Sequence, residues 1–205
     1  MASRKNNGFS LLELMITISI SLIMAGVSYM ALKPLLRGSH VNKGYDITLM
    51  ALRNTRNLAI SQSHQYYVNF NPGGFPAGTI QIQYQPPSVG GIAQPLQQVI
   101  TYSIPVDISY GIQGGFPAST PDGFGAGAPP IDFESTPGVP LNYVVFMPDG
   151  SAQDNLGNFN NGIIYMTQGG GAVTTSRAVT VWGATGRIRG WRLDRIAGVL
   201  SWVQQ

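Results

Sequence analysis

Phe9 to Leu32 reads FSLLELMITISISLIMAGVSYMAL: 24 residues with one charged side chain, Glu13, and no proline. At 1.5 Å rise per residue such a helix is about 36 Å long, enough to cross a hydrocarbon core of about 30 Å with some tilt. Leu, Ile and Met dominate the run, and all three suit a helix in lipid. Arg4 and Lys5 precede it, and Lys33 and Arg37 follow it. The flanking charge therefore gives little bias in orientation.

Two ordinary explanations compete for this segment. A secretory signal peptide has a basic start and an apolar core of about 7–15 residues before a small-x-small site. Here the run is longer, and Gly26-Val27-Ser28 makes a mediocre cleavage site. A plain membrane anchor fits the length. Neither accounts for a carboxylate five residues into the run, because an acid in a membrane helix is costly and needs a partner.

Gly8-Phe9-Ser10-Leu11-Leu12-Glu13 resembles the class III signal of type IV prepilins and pseudopilins. That resemblance implies a basic leader, residues 1–8, cut between Gly8 and Phe9 by a membrane aspartyl peptidase. It further implies N-methylation of the new terminus at Phe9. Glu13 would then be the fifth residue of the mature chain. The new amine and the carboxylate of a neighbouring subunit are each costly alone in low dielectric and less costly as a pair, so pairing favours axial stacking. Many type IV pilins carry a proline partway along this helix. In this chain the first proline is Pro34, at its outer end, and only Gly26 loosens the middle.

After Gly38 the pattern is again helical, from about Ser39 to Ser63. Val41, Tyr45, Leu49, Leu52 and Ala59 share a face, with Leu58 beside it, while Lys43, Arg53 and Arg56 take polar positions. Ser39 is a candidate N-cap, and Pro34 with Gly38 marks a joint. The period then switches to alternation. Tyr66–Phe70, Thr79–Tyr84, Val99–Ile104, Ile108–Ile112, Tyr143–Phe146, Ile163–Thr167, Ala178–Trp182 and Arg187–Leu193 read as short strands bounded by turn signals. The Gly/Pro-rich stretch near 113–140 reads as a long loop.

The predicted fold is α+β, a long N-terminal helix, transmembrane then amphipathic, packed on an antiparallel β-sheet domain. The domain plan is a leader at 1–8, a transmembrane or filament-core helix at 9–32, an outer amphipathic helix at 33–64 and a β-rich domain at 65–205. Leu52-Arg53-Asn54-Thr55-Arg56-Asn57-Leu58-Ala59-Ile60, Val145-Phe146-Met147-Pro148-Asp149-Gly150-Ser151 and Arg177-Ala178-Val179-Thr180-Val181 leading to Gly186-Arg187-Ile188-Arg189 carry a closer likeness. They resemble the H-type minor pseudopilins of type II secretion and the FimT-type minor pilins. Residues 85–140 carry no such likeness.

Composition narrows the chemistry. The chain has 205 residues, 26 Gly, 14 Pro, no Cys and only 12 basic and 9 acidic side chains. A disulfide framework, a Cys-ligated metal and a cysteine nucleophile are thereby excluded. The only histidines, His40 and His64, lie at the two ends of the outer helix, about 36 Å apart if it is straight, too far to share a metal. Asp149-Gly150 with Asp154 hints at a calcium loop but lacks the ligand spacing, and an Asp-Gly turn explains it. Gly169-Gly170-Gly171 lacks the Lys and helix start of a phosphate loop. No catalytic residue, cofactor or metal site is expected.

Charge is unevenly spread. Between Asn57 and Ser176 there is no Lys or Arg, whereas Arg177, Arg187, Arg189, Arg192 and Arg195 stand among Trp182, Trp191 and Trp202. Removal of residues 1–8 leaves 10 basic against 9 acidic side chains, so the basic character is local. Arginines interleaved with aromatics suit nucleic-acid binding. In FimT-type minor pilins a Gly-Arg-x-Arg motif is implicated in DNA capture, and Gly186-Arg187-Ile188-Arg189 fits that pattern. A sheet-edge strand alternating Arg-out and Ile-in gives the same letters.

The resemblance implies a minor pilin or pseudopilin, held in the inner membrane with its domain in the periplasm. It would be assembled into a type II secretion pseudopilus or type IV pilus. Its partners would be prepilin peptidase, other subunits and inner-membrane lipid. The alternative adds DNA, bound for uptake through Arg187, Arg189, Arg192 and Arg195.

Overall fold

The computed structural model describes residues 10–71, 78–112, 114, 119–125, 129–136 and 139–205. The chain forms two compact units, Met1–Arg37 and Gly38–Gln205. One helix, α1, is assigned from Leu11 to Gln62.

In the first unit α1 begins where the Ser10 carbonyl accepts the Leu14 amide at 3.1 Å. Leu11–Leu32 is long and apolar enough to cross a membrane, with mean hydropathy 2.0 over the segment and none of it buried. Leu11, Ile16, Leu22 and Met30 are among its exposed side chains. Ser39 lies within the helical assignment and not at the N-cap position that its sequence suggested.

In the second unit the helix buries Val41, Tyr45, Leu49, Leu52 and Ala59, the face expected from their spacing. Thr48 and Thr55 are also buried, and their hydroxyls donate back to the carbonyls of Gly44 at 3.0 Å and Ala51 at 2.7 Å. The helix stops at Ser63, whose φ of 56° is left-handed. The His64 amide then reaches back to the Ala59 carbonyl at 3.3 Å, closing a Schellman-type end.

Among the described residues twelve strands follow: β1 Tyr66–Asn71, β2 Thr79–Tyr84, β3 Gln97–Ser103, β4 Ile108–Tyr110, β5 Ile131–Thr136, β6 Val139–Leu141, β7 Tyr143–Phe146, β8 Ala152–Gln153, β9 Asn161–Gln168, β10 Arg177–Trp182, β11 Arg187–Ile196 and β12 Val199–Gln204. They build two antiparallel sheets. The first runs β3-β2-β1-β7-β8, and the second β12-β11-β10-β9-β5-β6, with β4 also paired to β9. A single core joins them to the helix. Val68, Phe70, Ile80, Ile82, Val144 and Phe146 enter it from the first sheet, and Ile164, Met166, Val179 and Val181 from the second.

The second sheet is covered on its other face as well. Ile163, Tyr165 and Ala178 pack there with Ile112, Phe124, Trp191 and Trp202. Burial on both faces fits the consecutive, and not alternate, buried residues of β9 and β10.

The stretch near 113–140, read from sequence as a long loop, holds β5, β6 and a 3-10 turn at Pro121–Gly123. Phe133 of β5 lies opposite Gly162 of β9 and stacks on Phe70 at 5.8 Å between ring centres. A Cβ at position 162 would overlap the Phe133 ring, so the strand is fixed by a distant glycine that local sequence does not reveal.

Candidate functional site

Two regions carry the residues singled out by sequence. Gly8 and Phe9 lie outside the described residues. Glu13 stands exposed in the first turn of α1, where the helix dipole favours an acid. It is the only charged side chain from Ser10 to Leu32. The hydroxyls nearby need no outside partner: Thr17 donates to the Leu14 carbonyl at 2.9 Å, Ser19 to Met15 at 2.8 Å and Ser21 to Thr17 at 2.8 Å. Such bonds remove most of the cost of a hydroxyl in lipid.

The C-terminal arginines do not form one patch. Strand β11 pairs with β10 so that Arg187 faces Trp182, Arg189 faces Thr180 and Arg192 faces Arg177. By alternation Arg189, Trp191 and Arg195 share the sheet face away from the helix and Arg192 takes the opposite face, while Arg187, the first residue of the strand, lies beside the helix residues Arg53 and Arg56.

Arg189 is already committed. Its Nη1 donates to Asp122 Oδ1 at 2.5 Å, with the Asp122 side chain only 5% exposed. The second oxygen of Asp122 accepts the Thr180 hydroxyl at 2.6 Å, and Thr180 accepts Trp191 Nε1 at 3.0 Å. Phe124 meets the Trp182 ring edge-on at 4.9 Å, and Arg189 lies 5.8 Å from the centre of that ring. This network fastens the 3-10 turn to the sheet. Arg192 pairs with Asp194 at 2.7 Å. No ion pair among the described residues involves Arg187 or Arg195.

Arg177 is structural. Its guanidinium donates to Asn42 Oδ1 at 3.0 and 3.2 Å and to the carbonyls of Thr174 and Ser176, and burial pulls its pKa below the usual value.

A groove that sequence did not indicate lies beside the β10–β11 turn. Its volume is about 390 Å³, and its lining includes Arg53, Arg56, Asn57, Thr185, Gly186 and Arg187. Arg56 is held there by two backbone carbonyls, Nε to Gly150 at 3.0 Å and Nη2 to Thr185 at 3.1 Å. Gly186 has φ +58°, and a Cβ on it would overlap the Gly150 carbonyl and crowd Arg56 Nε. The only sequence signal was the i, i+3 spacing of Arg53 and Arg56, which looked like an ordinary solvated face.

The remaining candidates find structural partners. His40 Nδ1 lies 2.7 Å from Asp107 Oδ2, which also accepts Gln168 Nε2 at 2.7 Å. The His64 ring packs against Tyr84 at 5.1 Å. Asp149 Oδ1 accepts the amide and hydroxyl of Ser151 at 2.8 and 2.6 Å, which makes the Asp149-Gly150 segment a turn. Asp154 accepts the amides of Leu156 and Asn158, each at 2.8 Å. Among the described residues no group of three His, Cys, Asp or Glu side chains is placed to hold a metal.

Comparison with known proteins adds one finding. Residues 3–29 match the family described as "Prokaryotic N-terminal methylation motif". No curated protein and no solved structure matches the chain.

Proposed function

We propose that the chain is a minor pilin or pseudopilin, a structural subunit built into a type II secretion pseudopilus or a type IV pilus. One coincidence carries this reading. The N-terminal methylation motif over residues 3–29 overlaps an unburied apolar helix, Leu11–Leu32, whose single charge is Glu13. In this reading prepilin peptidase cuts between Gly8 and Phe9 and the new terminus is methylated. The apolar helix rests in the inner membrane, with the second unit in the periplasm, until the subunit enters the filament.

Glu13 then pairs with the terminal amine of a neighbour. Two charges about 4 Å apart attract by about 4 kcal/mol at an effective dielectric of 20, against about 1 kcal/mol in water. The pair is therefore favoured where lipid or protein excludes water. The geometry supports assembly over DNA capture, because Arg189 and Arg192 already hold carboxylates.

Co-expression with a prepilin peptidase tests the reading. Intact-mass and terminal sequencing should give a chain beginning at methylated Phe9. Glu13→Ala should be cut normally and yet fail to enter filaments. A chain cut elsewhere, or normal incorporation of the Glu13 variant, would sink the proposal.

A further inference from the structure

The groove beside the β10–β11 turn concentrates charge in a chain that has little. Only 12 Lys and Arg occur in 205 residues, yet Arg53, Arg56 and Arg187 line one space of about 390 Å³. Among the described residues no Asp or Glu lines it, and the acid that comes nearest along the helix, Asp46, lines the adjoining groove. The nearest acid in sequence to the Gly150 wall, Asp149, is engaged with Ser151. Elsewhere in this sheet Arg189 has Asp122, Arg192 has Asp194 and Arg177 has Asn42 with two carbonyls, while Arg195 stands exposed and away from the groove. Three like charges gathered without a carboxylate repel one another, and that cost falls when an anion enters.

The groove is also built, and not merely left over. Arg56 is fixed by the carbonyls of Gly150 and Thr185, so part of the ordering cost of binding is already met in the free protein. Gly186 is the residue that permits this approach, since any side chain there would push the turn away from Arg56. The same turn starts β11 with Arg187, which brings a cation from the sheet to those of the helix.

We infer that this groove is an oxyanion site that takes a phosphoryl group carried on a larger molecule. A carboxylate offers two oxygens and one charge, which a single guanidinium fork satisfies. A tetrahedral phosphoryl group offers more oxygens and up to two charges, which suits several forks converging from different elements. The space, at about 390 Å³, lies within the ~300–1,000 Å³ range of small-molecule sites and exceeds what a bare oxyanion needs. It also has an extension: a neighbouring groove of about 590 Å³ shares Arg53 and Asn57 and continues past Met50 to Tyr102, with Asp46 as its one acid, so the phosphoryl group belongs at the arginine end and the rest of the molecule in the extension. Asn54 Nδ2 donates to the Tyr102 hydroxyl at 3.2 Å there, holding the aromatic in place. This inference stands on the second unit alone and is independent of the pilin reading.

The test uses the full chain in a non-ionic detergent, titrated with inorganic phosphate, with glycerol 3-phosphate and with acetate, followed by calorimetry. Phosphate and glycerol 3-phosphate should saturate in the millimolar range, the ester at least as tightly, and acetate should not. Arg53→Gln and Arg187→Gln should each weaken the phosphate ester by about tenfold, the loss expected for one charge-assisted contact. Both side chains are exposed, so these variants should keep the wild-type tryptophan spectrum. Arg195→Gln, an exposed arginine that does not line the groove, should bind as wild type. Absence of saturable binding, equal binding of acetate, binding of free phosphate without the ester, or an equal loss in Arg195→Gln would each overturn the inference.

Discussion

Gly186→Ala isolates the contact on which the arginine groove depends. With φ at +58°, alanine must adopt a left-handed backbone, and its Cβ would overlap the Gly150 carbonyl and crowd Arg56 Nε. Strain of that kind costs about 1–3 kcal/mol. Displacing the turn also weakens the bond from Arg56 Nε to Gly150, 3.0 Å in the native chain. A hydrogen bond from a charged group contributes about 1.5–3 kcal/mol. Together the loss is about 2.5–6 kcal/mol, and a unit of this size loses roughly 2–4 °C of melting temperature per kcal/mol. The expected fall is therefore roughly 5–24 °C. Thermal unfolding in detergent, read by fluorescence of Trp182, Trp191 and Trp202, reports on this unit specifically. Gly198→Ala is the matched control: φ is +84°, but nothing lies within 4 Å of its Cβ. That variant should lose only the backbone component, about 1–3 kcal/mol. Equal losses for the two glycines, or a fall of under about 2 °C for Gly186→Ala, would refute the close-approach argument.

Other perturbations probe separate parts of the unit. Asp122→Ala leaves the partly buried Arg189 without its carboxylate, so destabilisation of about 3 kcal/mol and a change in the Trp182 emission are expected; an unchanged melting curve would show that the ion pair does not hold the 3-10 turn. Bonds from the Ser151 hydroxyl and amide hold the Asp149 carboxyl below its ordinary 3.8. Its stabilising contribution is thus complete above that value and lost as pH falls through the lowered one. Asp149→Asn should flatten the acid limb of melting temperature between about pH 5 and about pH 2, and an identical limb in both proteins would contradict this.

Legibility from sequence followed the physics of each element. Strands β1 and β2 announce themselves, since one face is core and the alternation is strict, with a burial pattern in β1 of buried and half-buried residues in turn. β9 and β10 were legible as short strand-like segments, Ile163–Thr167 and Ala178–Trp182, with both faces buried in the fold. β5 was hidden because its two acids, Asp132 and Glu134, and flanking prolines resemble a loop, while its anchor, Phe133, depends on Gly162 in another strand. β12 was hidden for a different reason. Its turn, Ala197-Gly198, has both φ values positive at 49° and 84°, yet alanine is not a residue that advertises that conformation.

The candidate sites divide in the same way. The leader and Glu13 lie within a few residues of one another, so their chemistry is written locally. The groove is not: Arg56 and Thr185 are 129 residues apart in the chain and meet only in the folded unit. Conversely, Arg187, Arg189, Arg192 and Arg195 look like one cluster on the page, but pleating divides them between two faces and Asp122 and Asp194 claim two of them.

The inward-turned hydroxyls of Thr17, Ser19 and Ser21 bear on how the apolar helix exchanges surroundings. Lipid tails are about as apolar as leucine, so an aliphatic side chain gains little from preferring protein neighbours to lipid. With the hydroxyls of Thr17, Ser19 and Ser21 bonded to the helix's own backbone, that stretch keeps little polar surface by which to tell the two media apart. In the proposed reading, preference between membrane and filament therefore falls largely on Glu13, the one charged side chain of the segment. Transfer would be close to neutral along the aliphatic length of the helix and decided at its first turn, where that charge stands.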